Sequence, residues 1–249
     1  MYALNVIYED NHLLVVNKPA GIATMGAESG ATLHSLGCQY LRKKYNKPGN
    51  VYLGVVSRLD ALTSGVIVFA RTSKAAARLN QQFAKTKNQS ASKIYLAIVQ
   101  GKLPKGTSGA WSDYVYKDDS AHRMRVTNRE HPDGKIALLS WLSLHSETNW
   151  SLVAVRLETG RKHQIRLQFA HRKHPVLGDQ KYQSTANFPD GIGLHSWQLS
   201  IEHPTQKQPM HFLAKPPQGW APFLCNLPAG YLADFNRVCG NWIAGETHS

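Results

Sequence analysis

The sequence predicts an α+β fold, a mixed and mainly antiparallel sheet flanked by helices and loops. Two observations carry this. Short apolar runs follow one another with only a few helical stretches between them, so strands come in runs rather than in strict alternation with helices. No internal repeat, heptad, low-complexity segment or obvious linker divides the 249 residues, so one domain is expected over 1–249.

Val6–Tyr8 and Leu13–Asn17 read as strands, the second ending at the turn Lys18-Pro19-Ala20-Gly21. Thr32 is placed to cap a helix running to about Tyr45, with Leu33, Leu36, Tyr40 and Leu41 on one side. Val51–Val56 and Val66–Ala70 read as strands, and the polar segment Ser57–Gly65 joins them as a loop. Ser73 is expected to cap the next helix, whose apolar face is Ala75, Ala76, Leu79 and Phe83 and whose basic face is Lys74, Arg78, Lys85 and Lys87. Strands are expected at Lys93–Gln100 and Trp111–Tyr116, and a mobile loop over Lys117–Gly134. Lys135–Ser146 and Trp150–Glu158 read as a hairpin. A short helix from His163 to about His171 is stopped by Pro175, and Gly193–Ile201 and Met210–Ala214 are strands around His203-Pro204-Thr205. The tail from Pro216 is expected to pack over the surface.

The chain carries 29 Lys+Arg against 16 Asp+Glu, a formal charge of +13. With 42% hydrophobic residues it can bury a core, which excludes a disordered basic tail. No run of about 18 apolar residues marks a membrane span, and the start lacks the basic region of a secretory signal. Three widely spaced cysteines, Cys38, Cys225 and Cys239, suit reduced thiols in the cytoplasm. The charge favours an anionic partner, nucleic acid first.

Its distribution says more than its sum. Between residues 29 and 112 there are thirteen Lys and Arg and one acid, Asp60. A second acid-free stretch, Thr159–Gly178, holds Arg161, Lys162, Arg166, Arg172 and Lys173. If the fold joins these segments they form one groove for phosphates, with salt-dependent binding. A carboxylate in such a groove repels phosphate, so Asp60 is either a structural partner for an arginine or a catalytic group.

Several chemistries find no support. There is no GxxxxGK[ST] or GxGxxG loop, no cysteine spacing for zinc, no GxSxG elbow, and no second acid nominated for a glycosidase pair. A metal-dependent nuclease lacks its acidic cluster. His163, His171 and His174 lie in a cationic segment that would repel a metal ion.

The segment Ser57-Arg58-Leu59-Asp60-Ala61-Leu62-Thr63-Ser64-Gly65 resembles the RLD-x-x-TSG loop of RluA-type RNA pseudouridine synthases. The likeness extends in order along the chain. Asp10–Gly21 resembles the family's opening motif, Lys93-Ile94-Tyr95-Leu96-Ala97 its K-x-Y-x-A strand, and Thr159-Gly160-Arg161-Lys162-His163-Gln164-Ile165-Arg166 its TGR-x-HQIR segment. His174-Pro175-Val176-Leu177-Gly178-Asp179 matches HP-x-x-GD, and Leu194-His195-Ser196 and His203-Pro204 match further pieces, over about residues 6–217.

The resemblance implies a pseudouridine synthase fold and a cofactor-free, metal-free isomerisation of uridine to pseudouridine in structured rRNA or tRNA. It implies that Asp60 is the catalytic aspartate and that Arg166 pairs with it, ideally as a bidentate guanidinium. Tyr95 would stack on the uracil and is the candidate for handling the C5 proton. Arg58 would fill the gap left by the flipped nucleotide, and Ile165 would pack against the flipped ring or serve as core. The sequence departs from the family pattern at Ser57, where His is usual, and at Lys162 and Gln168. The motifs begin near the N-terminus, so no S4-like RNA-binding domain is expected. RNA contacts are then assigned to the basic helix after Ser73 and the Arg42–Lys47 cluster, and a monomer is expected. A catalytically silent RNA-binding protein on the same scaffold is the rival reading, and the retained Asp60, Tyr95 and Arg166 speak against it.

Overall fold

The computed structural model describes residues 4–26, 30–84 and 91–225. In chain order the elements are β1 (Asn5–Glu9), β2 (Leu13–Lys18), α1 (Leu33–Lys44), β3 (Gly54–Val55), β4 (Ser64–Ala70), α2 (Ser73–Ala84), β5 (Ser92–Gln100), β6 (Ser108–Asp118), β7 (Arg123–Thr127), β8 (Lys135–Ser146), β9 (Trp150–Leu157), α3 (Gln164–His171), β10 (Leu194–Glu202), β11 (Pro209–Leu213) and α4 (Ala221–Leu224). The strands form one eleven-stranded sheet in the order β1-β2-β4-β10-β5-β9-β8-β6-β7, with β11 on β10 and β3 on β4. All pairings are antiparallel except β4 with β10.

The apolar runs earn their central places by burial on both faces. All seven residues of β4 are buried, as a strand covered on both sides requires. Val66 and Val68 pack with Ala75 and Leu79 of α2, while Ile67 and Phe69 pack with Leu33 and Leu41 of α1. On β5, Ile94, Leu96 and Ile98 meet Trp197 and Trp220, and Tyr95, Ala97 and Val99 meet Ile165 and Phe169 of α3. The strand alternation thus puts α3 on the same face as Tyr95.

One glycine sets the sheet's centre. Gly65 has φ +117, and a Cβ there would lie 2.2 Å from the Ser196 carbonyl oxygen. Only glycine lets β4 run this close beside β10, where Ser64 and Gly65 pair with His195 and Ser196.

Four expectations change. Lys117–Gly134 is not a loop throughout, because Arg123–Thr127 forms β7 on β6. Its inward residue Met124 is buried while the arginine beside it at 125 is exposed, a charged edge strand. The strand expected over Val51–Val56 shrinks to Gly54–Val55. On that side of β4, β10 takes Ser64 and Gly65, and β3 pairs only with Phe69 and Ala70. Thr32 does cap α1, in a reciprocal pair with Ser35, but α2 is capped by Thr72, whose Oγ1 accepts the Ala75 N–H at 3.1 Å, and not by Ser73. The described part of the tail, to Cys225, does not merely cover the surface, since Trp220 is fully buried. Lys85, Lys87 and Cys239 lie outside the described residues.

Candidate active site

Asp60 sits in the turn between β3 and β4, where the Thr63 N–H donates to the Asp60 carbonyl at 3.1 Å. The turn is tied down from the neighbouring segment after β2. The Ala61 carbonyl accepts from the Gly21 N–H at 2.9 Å and from Lys18 Nζ at 2.9 Å. Thr24 Oγ1 donates to the Leu59 carbonyl at 2.9 Å and accepts the Leu59 N–H at 3.2 Å.

Lys18 is fully buried, and its Nζ also donates to the carbonyls of Pro19 and Ile22, both at 2.8 Å. Burial pushes the amine down to about 7, and the Asp60 charge pulls it up. Three carbonyls match the three N–H groups of an ammonium, so the contacts suit the charged form. Lys18 therefore clamps two segments under Asp60.

Arg166, on α3, donates from Nη1 to Asp60 Oδ2 at 2.9 Å. The expected bidentate pairing goes elsewhere: Nε and Nη2 donate to Asp179 Oδ2 and Oδ1 at 2.6 and 2.8 Å. A fork–fork pair with Asp179 through Nε and Nη2 leaves Nη1 free to reach Asp60. Asp179 is thus a second carboxylate of the site, and it orients the arginine that orients Asp60. Burial works against the guanidinium's charge, but the two aspartates more than offset it and hold Arg166 above its ordinary range.

Tyr95 is nearly buried beside this pair. Burial pushes its phenol well above the usual range, opposed by a hydrogen bond with Ser196. Asp60, Tyr95, Arg58 and Arg166 line a cavity of about 1090 Å³, with Lys93 from the first basic segment and Arg161 and Lys162 from the second. The two acid-poor stretches therefore do meet. Lys93 Nζ lies 4.2 Å above the Phe83 ring, and burial lowers it to about 8.

Arg58 is exposed on this cavity's wall. Ile165 is buried with Tyr95 and Phe169 in the core, and it also lines a small recess of about 60 Å³ shared with Asp60, Tyr95 and Thr63. The Thr63 hydroxyl is buried there with no hydrogen-bond partner among the described residues. The Arg42–Lys47 cluster and the residues Lys74 and Arg78 do not line the cavity. Lys44 is bonded to Glu9, and Arg78 to the Pro204 carbonyl.

Of the departures, Gln168 donates to Asp113 Oδ2 at 2.6 Å on the far side of α3, Lys162 lines the cavity, and Ser57 lies on its wall. None of Lys18, His163 and Asp179 is marked as a site residue by the sequence, where His163 stands only as a dismissed metal ligand and all three lie within matched motifs. Their place inside matched motifs was the available signal.

The chain belongs to the RNA pseudouridylate synthase family, whose model matches residues 12–171. It is 33% identical over 232 residues to the ribosomal large subunit pseudouridine synthase D of Xanthomonas campestris, covering 86% of this chain and 66% of that protein. It is 36% identical over 206 residues to the RNA pseudouridine synthase YhcT of Bacillus subtilis, covering 81% and 65%. The chain thus spans just under two thirds of the length of these two relatives. The human RNA pseudouridylate synthase domain containing 1 shares the fold, with a TM-score of 0.72, 24% identity, and coverage of 94% of this chain and 95% of that one. No helix among the described residues is long and apolar enough to cross a membrane.

Proposed function

We propose that this protein is an RNA pseudouridine synthase that isomerises a specific uridine in structured RNA, without a cofactor, through Asp60. The observation that carries the reading is the Asp60 carboxylate, held by Arg166 at 2.9 Å inside a cavity lined by Tyr95 and basic side chains. A groove built only to hold phosphate gains nothing from a carboxylate at its centre.

The reaction conserves atoms. The N1–C1′ bond breaks, the uracil turns, a C5–C1′ bond forms, C5 loses its proton and N1 gains one. A carboxylate at the sugar serves this as nucleophile or as acid and base, with no metal needed. The target must leave its helical stack, at a cost of a few kcal/mol. Arg58, exposed on the wall, fills the gap. Tyr95, kept neutral by its burial, is a poor base, so its ring supports the uracil. Ile165 closes the recess behind the ring.

The relatives named as ribosomal large subunit synthases make large-subunit rRNA the first substrate to test, with tRNA the alternative. The experiment is pseudouridine mapping of cellular RNA with and without the protein, combined with Asp60→Asn. The variant is expected to bind RNA with little change and to make no pseudouridine. Wild-type turnover in Asp60→Asn would end the assignment.

A further inference from the structure

The mechanism leaves His163 without a task, although it stands beside the reacting carboxylate. It precedes α3 in the left-handed region, at φ 53, which a non-glycine residue seldom occupies. That conformation turns the ring inward, with its side chain 9% exposed. Nδ1 lies 2.9 Å from the Tyr182 hydroxyl. The same hydroxyl oxygen accepts the Met124 backbone N–H at 3.1 Å. A phenol has one proton, and among the described residues Nδ1 is its acceptor. Nδ1 is therefore the bare nitrogen, and the ring proton sits on Nε2. Nε2 faces Asp60 Oδ2 at 3.7 Å, the oxygen already bonded by Arg166 Nη1. Asp60 Oδ1 receives no hydrogen bond from the described residues.

We infer that His163 is a positioning residue, a neutral Nε2–H donor that joins Arg166 in holding Oδ2 and leaves Oδ1 as the reacting oxygen. The inference rests on the reading of Asp60 as the reacting carboxylate. His163 cannot be a base while Tyr182 occupies its one lone pair. Its surroundings agree: burial pushes the imidazole down to about 4, Asp60 opposes this, and Arg166, Lys162 and Lys181 reinforce it. Those four groups and Tyr182 face the ring, with Arg161 lining the same recess and Asp179 behind Arg166. At 3.7 Å the free protein holds Nε2 near Oδ2 without a formed hydrogen bond, and the proposal is that the bond forms when substrate fills the site.

The tautomer is read first, in the free protein, by long-range ¹H–¹⁵N correlation of the His163 ring. Expected are a protonated Nε2, a bare Nδ1, no titration between about pH 5.5 and 8, and growth of the Nδ1–H form in Tyr182→Phe. A protonated Nδ1 in the wild type, or a midpoint near the ordinary value of about 6.5, would overturn the proposal. Kinetics follow on an RNA that the wild type converts. His163→Leu is expected to lower kcat about tenfold with KM within about twofold, the loss of one hydrogen bond to a charged group. His163→Gln, whose amide nitrogen reaches the place of Nε2, is expected to recover most of kcat. Equal losses in both variants, or a rise in KM with kcat kept, would overturn it. A wild type that modifies no RNA would defeat the synthase reading and the assignment of Oδ1 with it. The spectra, which need no substrate, separate that failure from a wrong tautomer.

Discussion

Asp179→Asn should unfasten the active site without touching Asp60. Asp179 accepts two hydrogen bonds from Arg166, at 2.6 and 2.8 Å, and the two side chains are only 1% and 5% exposed. Asparagine keeps the shape but removes the charge, and its amide NH₂ must face an arginine N–H, donor against donor. Removing one partner of a buried ion pair costs about 3–5 kcal/mol. Here the guanidinium keeps Asp60 as a counter-charge, so the lower end, about 3 kcal/mol, is expected. For a domain of this size each kcal/mol lowers Tm by roughly 2–4 °C, which gives a fall of about 6–12 °C. The freed guanidinium turns toward Asp60 to keep an ionic partner, and its single well-aimed Nη1 contact is lost. Misplacing the reacting carboxylate in this way should lower kcat by at least about tenfold. The assays are thermal melting without RNA and pseudouridine formation at a temperature where the variant is folded. A variant that melts within about 2 °C of the wild type and turns over at the wild-type rate would refute the claim that Asp179 aims Arg166.

Two further outcomes rest on lysines of the same site. Lys18→Met should leave the carbonyls of Pro19 and Ile22 without their donor and that of Ala61 with the Gly21 N–H alone; at about 1–3 kcal/mol for each buried orphan, a loss of at least about 2 kcal/mol is expected, read by denaturant titration, with faster amide exchange at Gly21, and an unchanged midpoint would count against the clamp. Lys93 should meet a phosphate near the target uridine, so Lys93→Gln should flatten the plot of log KM against log salt by roughly 0.7–0.9 for that one contact, while Lys93→Arg keeps the slope. Because its amine is lowered to about 8 by burial, wild-type affinity should be full below pH 8 and fall as the pH rises through it; Lys93→Arg should stay flat there, and a wild type equally flat would remove Lys93 from RNA contact.

Much of this was open to a reader of the sequence, and what was hidden was hidden for physical reasons. β4 and β5 show as apolar runs because both faces of each are buried, and their limits were found within two residues. β7 was missed because only one of its faces is covered, so its pattern has charges at alternate positions and reads as loop. The cap of α2 was misplaced by one residue, since Thr72 and Ser73 offer the same hydroxyl and only backbone geometry selects between them. The pairing of Arg166 with Asp60 could be anticipated from motif order, yet its bidentate partner could not. Asp179 is thirteen residues from Arg166 in sequence, and nothing in the pattern says which carboxylate takes the fork.

The sequence by itself determined the α+β class, the family likeness and the lone acid among thirteen bases, because these are matters of residue type and local period. The tertiary structure decided who holds whom. It brought the two acid-poor segments to one cavity by packing α3 on the Tyr95 face of β5. It gave the arginine fork to Asp179, put Lys18 beneath the Asp60 turn, and set the His163 ring against the Tyr182 hydroxyl. Hydrogen bonds depend on distances between chain-distant atoms, and those distances exist only once the sheet has closed.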